Sequence, residues 1–197
     1  MKPLTLDEIA GLERYERQRD EFRRRIIDLK RHRRVAVGDE ITFVFENRDT
    51  VRFQIQEMLR AERITDIDKV REEVECYNEL LPRLGELSST MLIEITDQER
   101  IRPRLVSLLG IDGAVRMEIG DRVVPGEFEA GRSTDDNLSA VQYVRFPLDS
   151  VGRSRFRSGA GVVRLVVDHP NYHATTVLTD TVRASLAADF EDCEAVE

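Results

Sequence analysis

Residues 35–62 read VAVGDEITFVFENRDTVRFQIQEMLRAE, and within them the hydrophobic period changes from two to 3.6. Ile41, Phe43 and Phe45 alternate with Thr42, Val44 and Glu46, the pattern of a strand. Gly38-Asp39 suits a tight hairpin turn, with glycine supplying the positive φ. Asn47 or Asp49 then caps a helix over about 50–64. That helix packs Val51, Ile55, Met58, Leu59 and Phe53, yet it also carries Gln54, Gln56, Glu57, Arg60 and Glu62. At about 100° per residue, Phe53, Glu57 and Arg60 share one side, so Glu57 and Arg60 are expected to meet at i, i+3.

Working outward, Thr5-x-x-Glu8 reads as a capping box. The helix after it, running to about Arg31, aligns Leu12, Tyr15, Arg19, Phe22, Ile26 and Leu29 in a narrow seam. Arg19 interrupts that seam, so either its head reaches water or it pairs with an acid. The seam suits packing within the domain and also allows a homodimer. A helix over about 66–81 ends at Pro82, which cannot continue it. Thr90–Thr96 alternates as a strand, and a helix begins near Arg102, since Pro103 conflicts with a start at Asp97, and stops before Gly110. Gly120-Asp121 makes a second GD hairpin. Residues 129–139, EAGRSTDDNLS, have the composition of a mobile loop. Strands follow at 140–146 and 160–167, with a short helix or loop at 148–157 between them, and a helix runs from about Asp180 to Phe190.

Helices that lead and close around antiparallel hairpins give an α+β fold, not an alternating βαβ series. The expected architecture is a largely antiparallel sheet of about six strands, with two GD hairpins, packed against N-terminal, central and C-terminal helices. One domain spans 1–197: a basic N-terminal helix (1–34), a core (35–190) and an acidic tail (191–197).

Hydrophobic residues make up 41% and charged residues 35% of the 197, a globular composition with no apolar run long enough for a membrane span. MKPLTLDEI lacks the apolar core of a secretory signal, and Cys76 and Cys193 lie outside any CxxC, so a cytoplasmic protein with reduced thiols is expected. Segment 23–34, RRRIIDLKRHRR, carries a local charge of +6 on a chain of −8. Such a run can bind nucleic acid or dock on the chain's own acids, and the acidic background without interleaved aromatics argues against nucleic acid.

Two stretches could carry chemistry. Glu57 and Arg60 are one. The other is Asp168-His169-Pro170-Asn171-Tyr172-His173, which holds two of the three histidines. If a helix started at Pro170, His169 and His173 would reach i, i+4 spacing and could hold a divalent metal together with Glu57. Asp168 would orient a histidine. Glu57, Arg60, Asp168, His169 and Tyr172 are thus the catalytic candidates of an enzyme reading, with a metal or an anionic substrate between them. The bland alternative is a strand-to-helix turn using Asp and Pro for backbone reasons. Glu72, Glu73 and Glu75 on the neighbouring helix lack the Glu-x-x-His of di-metal bundles. No GxSxG, Walker A, GxGxxG or HExxH occurs, so no cofactor is evident.

The chain resembles the bacterial proteins grouped as domain of unknown function 3501. The resemblance rests on RRVAVG after the basic helix, FENRDTVRFQIQEMLRAER, ELSSTMLIEI, SAVQYVRF and VDHPNYHA. Members are often encoded beside a rubrerythrin-like protein and an iron–sulfur protein similar to heterodisulfide-reductase subunits. The resemblance therefore implies a redox or peroxide-stress setting and an accessory or binding role. In that role the Arg-rich helix or loop 129–139 would dock a partner of the iron–sulfur or rubrerythrin type. It supplies no catalytic residues.

Overall fold

The computed structural model describes residues 1–131, 133 and 137–194. Thr5 and Glu8 form the expected capping box, but around a single 3-10 turn, Leu6–Glu8. The chain then breaks before α1 (Leu12–Arg31). The GD hairpin follows as β1 (Arg34–Val37) and β2 (Ile41–Phe45), with Gly38 at φ 73°. Asn47, not Asp49, caps α2 (Arg48–Glu62), accepting a hydrogen bond from the Thr50 amide. Next come α3 (Ile67–Asn78), β3 (Glu86–Ile93), α4 (Gln98–Ser107), β4 (Val115–Ile119), β5 (Arg122–Pro125) and β6 (Glu127–Phe128). The second half closes with β7 (Val141–Pro147), α5 (Ser150–Ser158), β8 (Val163–His169), β9 (Tyr172–Val177) and α6 (Asp180–Glu194).

The fold is α+β, and every pairing among the described strands is antiparallel. The strands are shared between two sheets, ordered β1-β2-β3-β7-β6 and β5-β4-β8-β9. The larger core lies between them. Phe43, Phe45, Met91, Val144 and Phe146 from one sheet join Met117, Leu165 and Val167 from the other, with Phe156 of α5 and Phe190 of α6. A smaller cluster, Val51, Ile55, Leu59, Val74, Leu80 and Leu81, joins α2, α3 and the segment after it. Side chains alternate along β2, so Phe43 and Phe45 enter the first core while Glu46 turns to the helices. There Glu46 is buried, and its carboxylate accepts from Thr50 Oγ1 of α2 (2.5 Å) and Thr90 Oγ1 of β3 (2.7 Å). The helical layer α1–α3 therefore covers the outer face of the five-stranded sheet.

Four expectations need correction. α4 starts at Gln98, capped by Asp97, and contains Pro103. The helix buries no residue, so the carbonyl that Pro103 leaves without a donor can turn to water. β3 begins four residues earlier than Thr90, with Ser88 and Ser89 buried on a strand paired along both edges. The last helix does not stop at Phe190: α6 runs on through Glu194 and buries Cys193. VDHPNYHA does not lead into a helix; it is the turn of a hairpin, with Asp168 opposite His173 and His169 opposite Tyr172. In the 129–139 segment, 132 and 134–136 lie outside the described residues, and Leu138 is buried and bridges Ser133.

Candidate functional site

Glu57 lies between α2 and α1. Its carboxylate accepts from Tyr15 Oη at 2.6 Å and from Arg19 Nε and Nη2, both at 2.8 Å. Arg19 thus interrupts its seam because it pairs with an acid. The forked guanidinium bonds hold the Glu57 carboxyl down at about 2, the Tyr15 hydroxyl adding to them against the opposing effect of burial. Burial first, and then the hydrogen bond to Glu57, push the Tyr15 phenol up. Arg60 does not bond to Glu57; it reaches Glu16 of α1 at 2.9 Å. The expected i, i+3 pair is replaced by two cross-helix pairs, since α1 offers each charge a better-aligned partner.

The 168–173 turn is a separate assembly at the end of the four-stranded sheet. His169 is buried: Nε2 donates to the Leu109 carbonyl at 2.9 Å and Nδ1 accepts from the Asn171 amide at 3.2 Å. Both ring nitrogens are engaged, which leaves no lone pair for a metal. Tyr172 reaches across to the Gly38 hairpin, donating to the Val37 carbonyl (2.6 Å) and accepting from the Glu40 amide (3.2 Å). Asn171 Nδ2 holds the Ser107 carbonyl, and Arg104 bonds both Glu40 and the Asn171 carbonyl. His173 is exposed on the other face of the hairpin, with Nδ1 2.8 Å from Asp168 Oδ1. The His173 contact, and then Arg116, hold the Asp168 carboxyl below its ordinary range. Strand alternation thus sends His169 and His173 to opposite faces, and the turn lies in a different layer from Glu57. Among the described residues no group of three or more His, Cys, Asp or Glu side chains is placed to hold a metal ion.

Several buried polar residues escaped the sequence reading. Arg33, 1% exposed, bonds Asp189 through both carboxylate oxygens, together with the carbonyls of Phe45, Glu46 and Ser185. Burial pushes the Asp189 carboxyl up to about 6 against the pull of Arg33. Arg183 donates to the carbonyls of Arg155, Phe156 and Gly161, closing the C-terminal end of α5. A charged residue at helical core spacing, as at Arg183 beside Val182 and Leu186, was the available signal.

Four of the seven bases in the run 23–34 pair with acids of the same chain. Arg25 pairs with Asp49, Arg31 with Asp28, Arg33 with Asp189 and Arg34 with Glu94. Beside it, residues 7–10, α1 and α2 enclose an open groove of about 740 Å³. Gln56 fastens one end of the groove by bonding both the amide and the carbonyl of Ala10. At the other end Phe22 packs edge-on against Phe53 (5.5 Å), with the guanidiniums of Arg25 and Arg52 5.1 and 5.0 Å from its centroid. No helix among the described residues is long and apolar enough to cross a membrane.

A crystal structure at 1.90 Å of a protein of unknown function from Burkholderia pseudomallei K96243 is similar to this one, with a TM-score of 0.90 and 32% identity over 95% of this chain and 99% of that one. No curated protein matches. The family model described as protein of unknown function (DUF3501) matches residues 3–190. Fold and sequence agree across nearly the whole chain, and the chain belongs to the DUF3501 family.

Proposed function

We propose that the protein is a cytoplasmic accessory protein that binds a partner through the outer face of α1. The observation that carries this reading is that α1, twenty residues and about 30 Å long, buries only Tyr15 and Ile26. A helix held by one stripe keeps most of its surface for something else, and Arg17, Arg23, Arg24 and the half-exposed Ile27 lie on that surface. The candidate catalytic side chains, by contrast, are engaged in internal bonds: Glu57 by three donors, His169 by two partners, Tyr172 by two. The partner proposed is of the iron–sulfur or rubrerythrin type, the setting that the family resemblance implies. Affinity capture from the native host tests this. The wild-type chain should recover such a redox protein, and Arg17→Glu/Arg24→Glu should lose it while keeping its thermal midpoint. Recovery of neither redox protein would overturn the reading.

A further inference from the structure

The groove between α1 and α2 holds a feature that helix packing does not require. Arg25 and Arg52 come from different helices, yet their guanidiniums stand at nearly equal distance, 5.1 and 5.0 Å, from the Phe22 ring. That ring is fixed edge-on by Phe53 at 5.5 Å and by Tyr15 at 6.3 Å, so it orients both forks. Their shared counter-charge is one oxygen, Asp49 Oδ1, at 3.3 Å from Arg25 and 3.5 Å from Arg52. Both contacts are longer than the ~2.7–2.9 Å of a well-made guanidinium–carboxylate bond. Each guanidinium has about five donors in a rigid fork. Most of these remain unused, and among the described residues Asp49 is the one carboxylate bonded to either fork; of the acids that line the groove, Glu8 is taken by Arg48 and Asp28 by Arg31, while Asp7 lies at the Ala10 end. Glu21 lines the same groove one turn before Arg25, but it is exposed and makes no ion pair among the described residues.

We propose that Arg25 and Arg52, oriented by Phe22, form a binding site for an oxyanion, the phosphoryl or carboxylate group of a small molecule that enters the groove. The anion takes the unused fork donors and competes with Asp49 for the two guanidiniums. This site is independent of the partner surface on the outside of α1, so either can fail without the other.

The test is a titration of the full chain, followed by NMR, with inorganic phosphate and separately with succinate at fixed ionic strength. Saturable shifts of the Arg25 and Arg52 Nε–H and Phe22 ring signals are expected with at least one of them. A response to phosphate alone identifies a phosphoryl ligand, and a response to succinate alone a carboxylate. Arg52→Gln should weaken binding roughly tenfold or more, the loss of a charge-assisted bond. Asp49→Asn removes the competitor and should tighten binding about threefold, the scale of an exposed ion pair. All these side chains are 30% exposed or more, so both variants keep the fold, and unchanged thermal midpoints check that. No saturable shift with either anion, or equal binding by wild type and Arg52→Gln, would overturn the proposal.

Discussion

Glu57, a catalytic candidate by sequence, also acts on stability. Its carboxyl sits at about 2 in the folded chain against an ordinary 4.5, and Glu8, bonded to Arg48 and Thr5, is held equally low. The unfolded chain therefore binds more protons in this window, and the stabilisation present above pH 4.5 is lost as pH falls toward 2. Glu57→Gln should cost about 1–2 kcal/mol at pH 7, short of a fully buried value because the pair is about a quarter exposed. Urea melts at pH 7 and pH 3 check this: the cost should shrink at pH 3, and an equal loss at both would sink it. Asp189 acts in the opposite sense. With its carboxyl raised to about 6, its favourable contribution is complete below about pH 3.8 and declines as pH rises through 6. Sequence reasoning found Glu57 and posed the right alternative for Arg19, because both lie on short-range helical stripes. It could not see that Arg60 would take Glu16, because that choice depends on how α1 lies against α2.

At the scale of elements, the 168–173 hairpin is a clasp. Through Tyr172, Asn171 and His169 it ties the four-stranded sheet to the Gly38 turn and to the residues around the end of α4. Tyr172→Phe removes a donor to the buried Val37 carbonyl and the acceptor of the Glu40 amide, and should cost about 1–3 kcal/mol in a chemical melt. Gly38→Ala should cost more. The residue has φ 73°, and an added Cβ would come within 2.3 Å of Tyr172 Oη. Combining the two substitutions should relieve the clash while the backbone strain remains, so the double variant should be less destabilised than the sum of the singles. A purely additive result would show that the close approach costs nothing. Both GD turns were legible because glycine before aspartate between alternating strands has a direct physical meaning. The strand YHATTV was also legible, with β-branched residues in alternation, but the His spacing and Pro170 drew attention to a helix instead.

Across the whole molecule, the basic run is partly offset by the chain's own acids. Asp49, Glu94 and Asp189 meet it from outside the segment, so its surface field is weaker than its sequence charge of +6 suggests. Retention on heparin should accordingly be slight, with elution below roughly 0.2 M salt, whereas a nucleic-acid binder would hold on and show a steep salt dependence. The α+β class followed from hairpins in the second half and helices at both ends. The division into two sheets did not, since it depends on which edges meet, and no local pattern encodes that.

The Arg33–Asp189 pair has a consequence in time. Its partners are 156 residues apart, and Arg33 also draws on carbonyls at Phe45 and Glu46 that are made early. During synthesis at about 5–20 residues per second, Arg33 waits on the order of ten to thirty seconds for its counter-ion. A guanidinium is not buried unpaired, so the end of the first hairpin stays open to water through that interval while the local helical layer can already form. A chain ending at residue 179 should leave Arg33 solvent-accessible, and a peptide of residues 180–194 added to it should restore protection of the Arg33 Nε–H, which donates to the Phe45 carbonyl, from hydrogen exchange. The last helix thus sets the moment at which the first third of the protein becomes dry.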